Sequence, residues 1–201
     1  MTARLIAFEG GEGCGKSTQA ARLAKRLGAV LTREPGGTQL GERIRALVLD
    51  PSAGAVDPRA EAMLMAAARA QHVAEVIAPA LERGDSVVTD RYVASSLAYQ
   101  GFGHGLDVDE LTMLSQWATG GRAADVNVLL LVSDDVAAAR LQRPTDRMER
   151  LGKKFHRRVT QGFVALAETD ALRWIVVDGV GTIDEVEARV NAAFDTWVAA
   201  Q

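Results

Sequence analysis

Between residues 10 and 17 the chain reads Gly10-Gly11-Glu12-Gly13-Cys14-Gly15-Lys16-Ser17, the spacing G-x-x-x-x-G-K-S, and Thr18 follows. Residues of these types at this spacing bind phosphate. Glycines let the backbone turn tightly and aim successive N–H groups at an anion, and a helix beginning at the end of the run adds the partial positive charge of its N-terminus. Lys16 can then reach the β- and γ-phosphates of ATP, and the Ser17 hydroxyl can ligate Mg²⁺. A second polar group, Asp90-Arg91-Tyr92, ends a candidate strand at 86–90, and a third, Arg143-Pro144-Thr145-Asp146-Arg147-Met148-Glu149-Arg150, carries three arginines through a break in periodicity. The third group suits an exposed mobile segment over a phosphate site, or a solvated loop.

For that chemistry the phosphate loop must sit between a buried strand and a helix, and the flanking residues provide both. Leu5-Ile6-Ala7-Phe8 is an apolar run, and Leu23 and Leu27 repeat at helical spacing behind Ser17. The remaining pattern alternates. A strand at 29–32 is broken by Pro35-Gly36-Gly37, a helix spans 39–49, and a helix from Pro58 runs on toward Leu81 with a kink expected at Pro79. A strand at 86–90 leads to a short helix or loop at 93–102, a helix at 107–118 and a buried strand at 126–132. A helix at 134–142, the arginine-bearing segment, a helix at 153–167, a strand at 174–177 and a helix at 183–198 follow. This order predicts an α/β fold with a parallel sheet, and places the polar ends of the strands where such sheets bind ligands.

Composition narrows the function classes. The chain has 201 residues, 48% hydrophobic and 24% charged, enough for one core and a single domain. A formal net charge of −3 provides no overall basic field for nucleic acid or an anionic membrane, so phosphate must be handled locally. The apolar start is too short for a signal or membrane segment, so a cytoplasmic location is expected. The single cysteine, Cys14, excludes an internal disulfide. Its place in the loop at a helix N-terminus beside Lys16 predicts a thiol open to alkylation. His72, His104 and His156 lack metal-ligand spacing and are expected at the surface or in packing.

Several separated segments together resemble one family, the bacterial thymidylate kinases, over nearly the whole chain. They are Phe8-Glu9-Gly10 with the phosphate loop, Arg33-Glu34-Pro35-Gly36-Gly37-Thr38, Glu42-Arg43-Ile44-Arg45, Ala68-Arg69-Ala70-Gln71-His72, Asp90-Arg91-Tyr92 with Ser95-Ser96-Leu97-Ala98-Tyr99-Gln100-Gly101, and Asp146-Arg147-Met148-Glu149. The resemblance implies a P-loop nucleoside monophosphate kinase fold, a parallel β-sheet flanked by helices with a short mobile lid near 143–151. It further implies Mg²⁺-dependent transfer from ATP to dTMP, no nucleic-acid or membrane partner, and a homodimer.

Carried over position by position, Gly10 through Thr18 hold the ATP phosphates, with Ser17 and Asp90 on the metal. Glu12 lies beside the dTMP sugar. Arg45 and Arg91 approach the dTMP phosphate, whose oxygens suit a guanidinium fork. Pro35 belongs to the dTMP-binding segment, Arg69, Ser96 and Gln100 match contacts to the thymine edge, and Tyr99 lies where a ring closes over the sugar. Two departures stand out. Met65 occupies the place of a phenylalanine that stacks on thymine in most relatives, and a thioether covers a base face less rigidly. Gly13 stands where some members carry a catalytic arginine, which turns attention to Arg143 and Arg147 in the lid.

A deoxynucleoside kinase, or another nucleoside monophosphate kinase, is the nearest alternative. A GTPase-like switch would need Asn-Lys-x-Asp, and neither Asn127 nor Asn191 is followed by lysine. Under all the kinase readings, Lys16→Ala is expected to abolish turnover while far-UV circular dichroism and thermal unfolding stay near wild type, because the ammonium acts on transferring charge. Near-normal turnover would remove the phosphate-loop assignment.

Overall fold

A computed structural model of the chain describes residues 2–141 and 146–201. In chain order the regular elements begin with β1 (Leu5–Glu9), α1 (Lys16–Leu27), β2 (Val30–Arg33), α2 (Gln39–Leu49), α3 (Pro58–His72), α4 (Ala78–Glu82), β3 (Val87–Asp90) and α5 (Val93–Ser96). They continue with α6 (Val108–Thr119), β4 (Val126–Leu131), α7 (Asp134–Arg140), α8 (Lys153–Thr169), β5 (Trp174–Asp178) and α9 (Ile183–Ala199). The strands of the described residues form one parallel sheet in the order β2-β3-β1-β4-β5. Ile6 in β1 lies opposite Val88 on one side and Val126 on the other, which makes β1 central and explains why all of it is buried.

Strand alternation sends successive side chains of β1 to opposite faces. Ile6 and Phe8 join Leu23 and Ala24 of α1 and Val190 and Phe194 of α9, while Leu5 and Ala7 pack with Val73 and Ile77. Phe8 and Leu23 are essentially inaccessible, and full burial of such side chains stabilises the fold by about 2–3 kcal/mol each. A further cluster brings Leu129 of β4 against Tyr99 and against Phe155, Val159 and Phe163 of α8.

The C-terminal ends of β1 and β3 meet in the middle of the sheet. From β1 the chain departs toward the β2 edge, and from β3 it departs toward β4, so the crevice above them is the switch point where parallel sheets take ligands.

Two differences from the sequence pattern have local causes. Before Pro79, where a kink is expected, the helix widens into a π-helical turn, Val73–Ile77, directly before α4, since proline has no N–H to return to the carbonyl four residues earlier. The undecided stretch after Arg91 is helical. It widens into a second π segment, Leu97–Gly103, which turns Tyr99 and Gln100 inward. α7 ends at Arg140 rather than 142. Arg143 lies outside the described residues.

α8 crosses this π segment at close range. A Cβ on Gly162 would stand 2.6 Å from the Phe102 ring, and one on Gly103 would stand 2.6 Å from Phe155. Gly162→Ala is therefore expected to destabilise the protein by about 1–3 kcal/mol despite the better helix propensity of alanine. Urea unfolding reads this directly, and an unchanged midpoint would mean that the crossing yields at no cost.

Candidate active site

The site grows from the end of β1. Glu9 is fully buried, its Oε1 accepting the Tyr92 N–H at 2.9 Å and its Oε2 the Ser95 hydroxyl at 2.6 Å. Burial pushes the Glu9 carboxyl up to about 7, against the lowering effects of Ser95, Arg91 and Tyr92. Above it sits Arg91, whose φ of 74° puts a bulky residue in left-handed backbone, a conformation that persists only where the surroundings hold it. The Arg91 N–H donates to Phe8 O at 2.9 Å. Its Nη1 donates to Gly10 O and to Ser95 Oγ, both at 3.0 Å. Its Nη2 pairs with the Glu12 carboxylate and donates to the Tyr99 hydroxyl at 3.1 Å. The Tyr99 hydroxyl in turn donates to Glu12 at 3.0 Å. Burial drives that hydroxyl well above the ordinary tyrosine range, which keeps it a donor.

The phosphate loop follows β1 directly. Gly15, at φ 95°, caps α1 without a side-chain bond, and no acidic residue stands in the first helical turn. By contrast α2, α6 and α9 are capped by Thr38, Asp107 and Thr182. The first N–H groups of α1 are thus left for an anion. Lys16 Nζ bridges the loop to Gly11 O at 2.6 Å. Ser17 Oγ donates to Asp90 Oδ2 at 2.5 Å, while Asp90 Oδ1 is buried with no hydrogen-bond partner among the described residues. A hydroxyl beside a carboxylate with a spare oxygen fits Mg²⁺, which takes one or two protein oxygens and completes its shell with phosphate and water.

Two cavities flank this loop. The first, about 610 Å³, reaches from Ser17 and Asp90 past Pro35, Arg45 and Arg91 to Met65, Arg69, Ser96, Tyr99 and Gln100. The second, about 640 Å³, runs from the loop to Arg140, Gly179 and Thr182. Glu12, Lys16 and Ser17 line both.

In the first cavity, Arg45 donates to Pro35 O at 2.9 Å, and burial together with the nearby Arg33 lowers its pKa. The Glu34–Pro35 peptide is cis. Arg69 is buried and bonds Glu34 at 2.7 Å, Ser96 Oγ at 2.9 Å and Tyr92 O at 3.1 Å, yet its Nη1 has no partner among the described residues. Behind it, His72 hydrogen-bonds Glu34 through Nδ1 at 2.9 Å and Thr32 Oγ1 through Nε2 at 2.6 Å. Losing one member of the buried Arg69–Glu34 pair costs about 3–5 kcal/mol.

Residues 8–190 match the thymidylate kinase family. The chain belongs to that family. It is 47% identical to the thymidylate kinase of Bifidobacterium longum subsp. infantis, across 98% of this chain and 88% of that one. It is also 47% identical to the Deinococcus radiodurans thymidylate kinase, across 94% of each. In three dimensions it is similar to the crystal structure of thymidylate kinase from Ehrlichia chaffeensis, with a TM-score of 0.80 and 29% identity, covering 96% of this chain and 100% of that chain.

The thymidylate kinase positions chosen from sequence largely converge, and some do not. Gly13 through Thr18 line the second cavity, and Gly10 and Gly11 contribute carbonyls to Arg91 and Lys16. Gly13 has a physical reason to be glycine. Its φ is 70°, and a Cβ there would stand 2.6 Å from Ala137 O of α7, so an arginine cannot occupy this place without moving that helix. Arg147 departs from expectation. Its Nε donates to Val48 O at 2.7 Å and its Nη2 pairs with Glu61, which holds it outside the linings of both cavities. Cys14 is also corrected. At 2% exposure it packs with the Phe8 and Leu130 side chains of the core rather than standing open in the loop.

Sequence reasoning missed the roles of five residues. Glu9 is a carboxylate at the end of a wholly apolar strand, and Glu61 stands in the first turn of an alanine-rich helix, so each was visible as a polar residue in an apolar setting. The pairing of Glu34 with His72 joins residues far apart in sequence, and no local pattern signals it. Arg140, which donates to Gly179 O at 3.0 Å and Gly181 O at 3.1 Å, reads in sequence as an ordinary helix-terminal arginine.

Glu9 makes a measurable contribution to the pH dependence of stability. A folded value raised from 4.5 to about 7 means that the folded state binds more protons than the unfolded chain between those values. This contribution is therefore fully present below the lower value and is lost as pH rises through the upper one, on the order of 3 kcal/mol in total. Glu9→Gln is expected to remove it, so the stability difference between wild type and variant in urea should change steadily from pH 4.5 to 7. A constant difference would place the Glu9 titration elsewhere.

Proposed function

We propose that this chain transfers the γ-phosphoryl group of ATP to the phosphate of dTMP, giving ADP and dTDP. The observation that carries this reading is that Glu12, Lys16 and Ser17 line both cavities, so a donor in one and an acceptor in the other would meet across the same three side chains. ATP takes the second cavity, its phosphates on the loop residues Gly10 to Thr18 and its base toward Arg140. The nucleotide acceptor takes the first. Its phosphate lies toward Arg45 and Arg91, its sugar beside Glu12 and Tyr99, and its base between Met65 and the group Arg69, Ser96 and Gln100. The unpartnered Nη1 of Arg69 supports a base with an acceptor on its edge.

Little covalent work falls to the protein. Lys16 neutralises charge on the transferring group, Arg91 and Arg45 align the accepting phosphate, and the buried walls exclude water. Ser17 and Asp90 would hold Mg²⁺, which would supply positive charge to offset that of the donor phosphates. Because Gly13 excludes an arginine from the loop, Arg143 of the lid is the arginine we assign to the transition state. With its lid the chain acts as a single domain. Exposed Met63 of α3 and Met113 and Trp117 of the adjoining α6 offer an apolar face suited to a homodimer. Reaction with ATP and dTMP suits the cytoplasm.

A coupled assay with ATP and dTMP, dUMP, thymidine or no acceptor tests this directly. Turnover is expected with dTMP, none with thymidine or without acceptor, and none after EDTA. Preference for thymidine would instead make the chain a nucleoside kinase.

A further inference from the structure

Glu61 is completely buried on α3, lies outside the lining of the first cavity, and yet bonds Gln100 at the base end of that cavity. Its Oε1 accepts from Gln100 Nε2 at 2.7 Å, its Oε2 pairs with Arg147 Nη2, and His104 Nε2 lies 3.3 Å from Oε1. Every one of these neighbours presents nitrogen. Burial pushes the Glu61 carboxyl up, but the contacts to His104, Arg147 and Gln100 together outweigh it and hold the group below the usual carboxylate range. An ionised carboxylate has no proton to donate. The end of the Gln100 amide that faces Glu61 must therefore be its NH₂, and the carbonyl Oε1 is the end left for the cavity.

We infer that Glu61 is a positioning residue for base selection: by accepting from Gln100 Nε2 it fixes the polarity of the amide, so that the cavity offers an acceptor from Gln100 next to the donor of Arg69. The inference rests on the reading of the first cavity as the acceptor-nucleotide site. An acceptor beside a donor complements a 4-keto pyrimidine, whose N3–H donates and whose O4 accepts. Cytosine inverts both positions, with an acceptor at N3 and an amine at C4, and would leave two buried polar groups facing their own kind. A site built on such pairing rejects a mismatched partner far more strongly than packing alone can. The 5-methyl group plays no part in this contact, so the device separates thymine and uracil from cytosine and leaves those two undivided.

Glu61 also carries Arg147, so the group that orders the amide holds an arginine of the segment read as the lid.

The test is the ratio of kcat/KM for dTMP to that for dCMP in wild type, Glu61→Gln and Glu61→Asp. Gln can donate as well as accept, which frees the Gln100 amide to turn. The ratio is expected to fall at least about tenfold in Glu61→Gln, with dTMP losing mainly through KM and dUMP falling in parallel with dTMP. Asp remains acceptor-only, so Glu61→Asp should keep the wild-type ratio even where overall activity drops. Equal losses on dTMP and dCMP in Glu61→Gln, leaving the ratio unchanged, would overturn the inference and reduce Glu61 to a packing role. Should Glu61→Gln fail to fold, a crystal structure of the wild type with dTMP decides: the cavity-facing end of Gln100 within hydrogen-bond distance of thymine N3 supports the inference, and any other partner for N3 overturns it. Absence of dTMP turnover in the wild type would instead refute the reading of the cavity itself.

Discussion

The site depends on one buried carboxylate. Glu9 ends the central strand, and its two oxygens hold the Tyr92 N–H and the Ser95 hydroxyl, which belong to the chain leaving the neighbouring strand. That grip makes the left-handed backbone of Arg91 tenable, because Tyr92 and Ser95 on its C-terminal side are anchored to Glu9. Arg91 then organises Gly10, Glu12, Ser95 and Tyr99 around one guanidinium. A carboxylate in this position is costly to bury, and the energy it withholds from stability is what aims an arginine at the crevice.

Much of the architecture was legible because it is local. Apolar runs flanked by turns marked β1, β3 and β4, and the loop residues 10–18 have a spacing with few other uses. The limits of α2 agree with its periodicity because Thr38 caps its start. Helical widening at Leu97–Gly103 was not legible, since a π turn and an α turn draw on the same residue types and differ by one position in hydrogen bonding. Arg147 illustrates a different limit. Its neighbours in sequence placed it in a basic segment, but its partner Glu61 lies 86 positions earlier, and a buried acceptor at that distance leaves no local trace.

The base end of the first cavity is held in the same way as the phosphate end, by carboxylates that accept from the polar side chains around it. Glu34 orients Arg69 and is itself oriented by His72, while Glu61 orients Gln100. In each pair the carboxylate accepts from one nitrogen of its partner, Arg69 Nε or Gln100 Nε2, and Arg69 Nη1 is left without a partner among the described residues. Methionine at position 65 can add a soft surface without shape, so direction in this wall comes from hydrogen bonds rather than from stacking.

The wall shared by the two cavities has a thermodynamic consequence. Glu12, Lys16 and Ser17 belong to both, so a molecule in either one changes the field and the side-chain positions met by a molecule in the other. The two occupancies are then linked, and linkage is reciprocal: whatever factor a donor imposes on the dissociation constant of an acceptor, the acceptor imposes on the donor. A compound that reaches across the wall meets both sets of contacts in one molecule and is spared the second loss of translational freedom. Its affinity is set by the span over Lys16 as much as by either end.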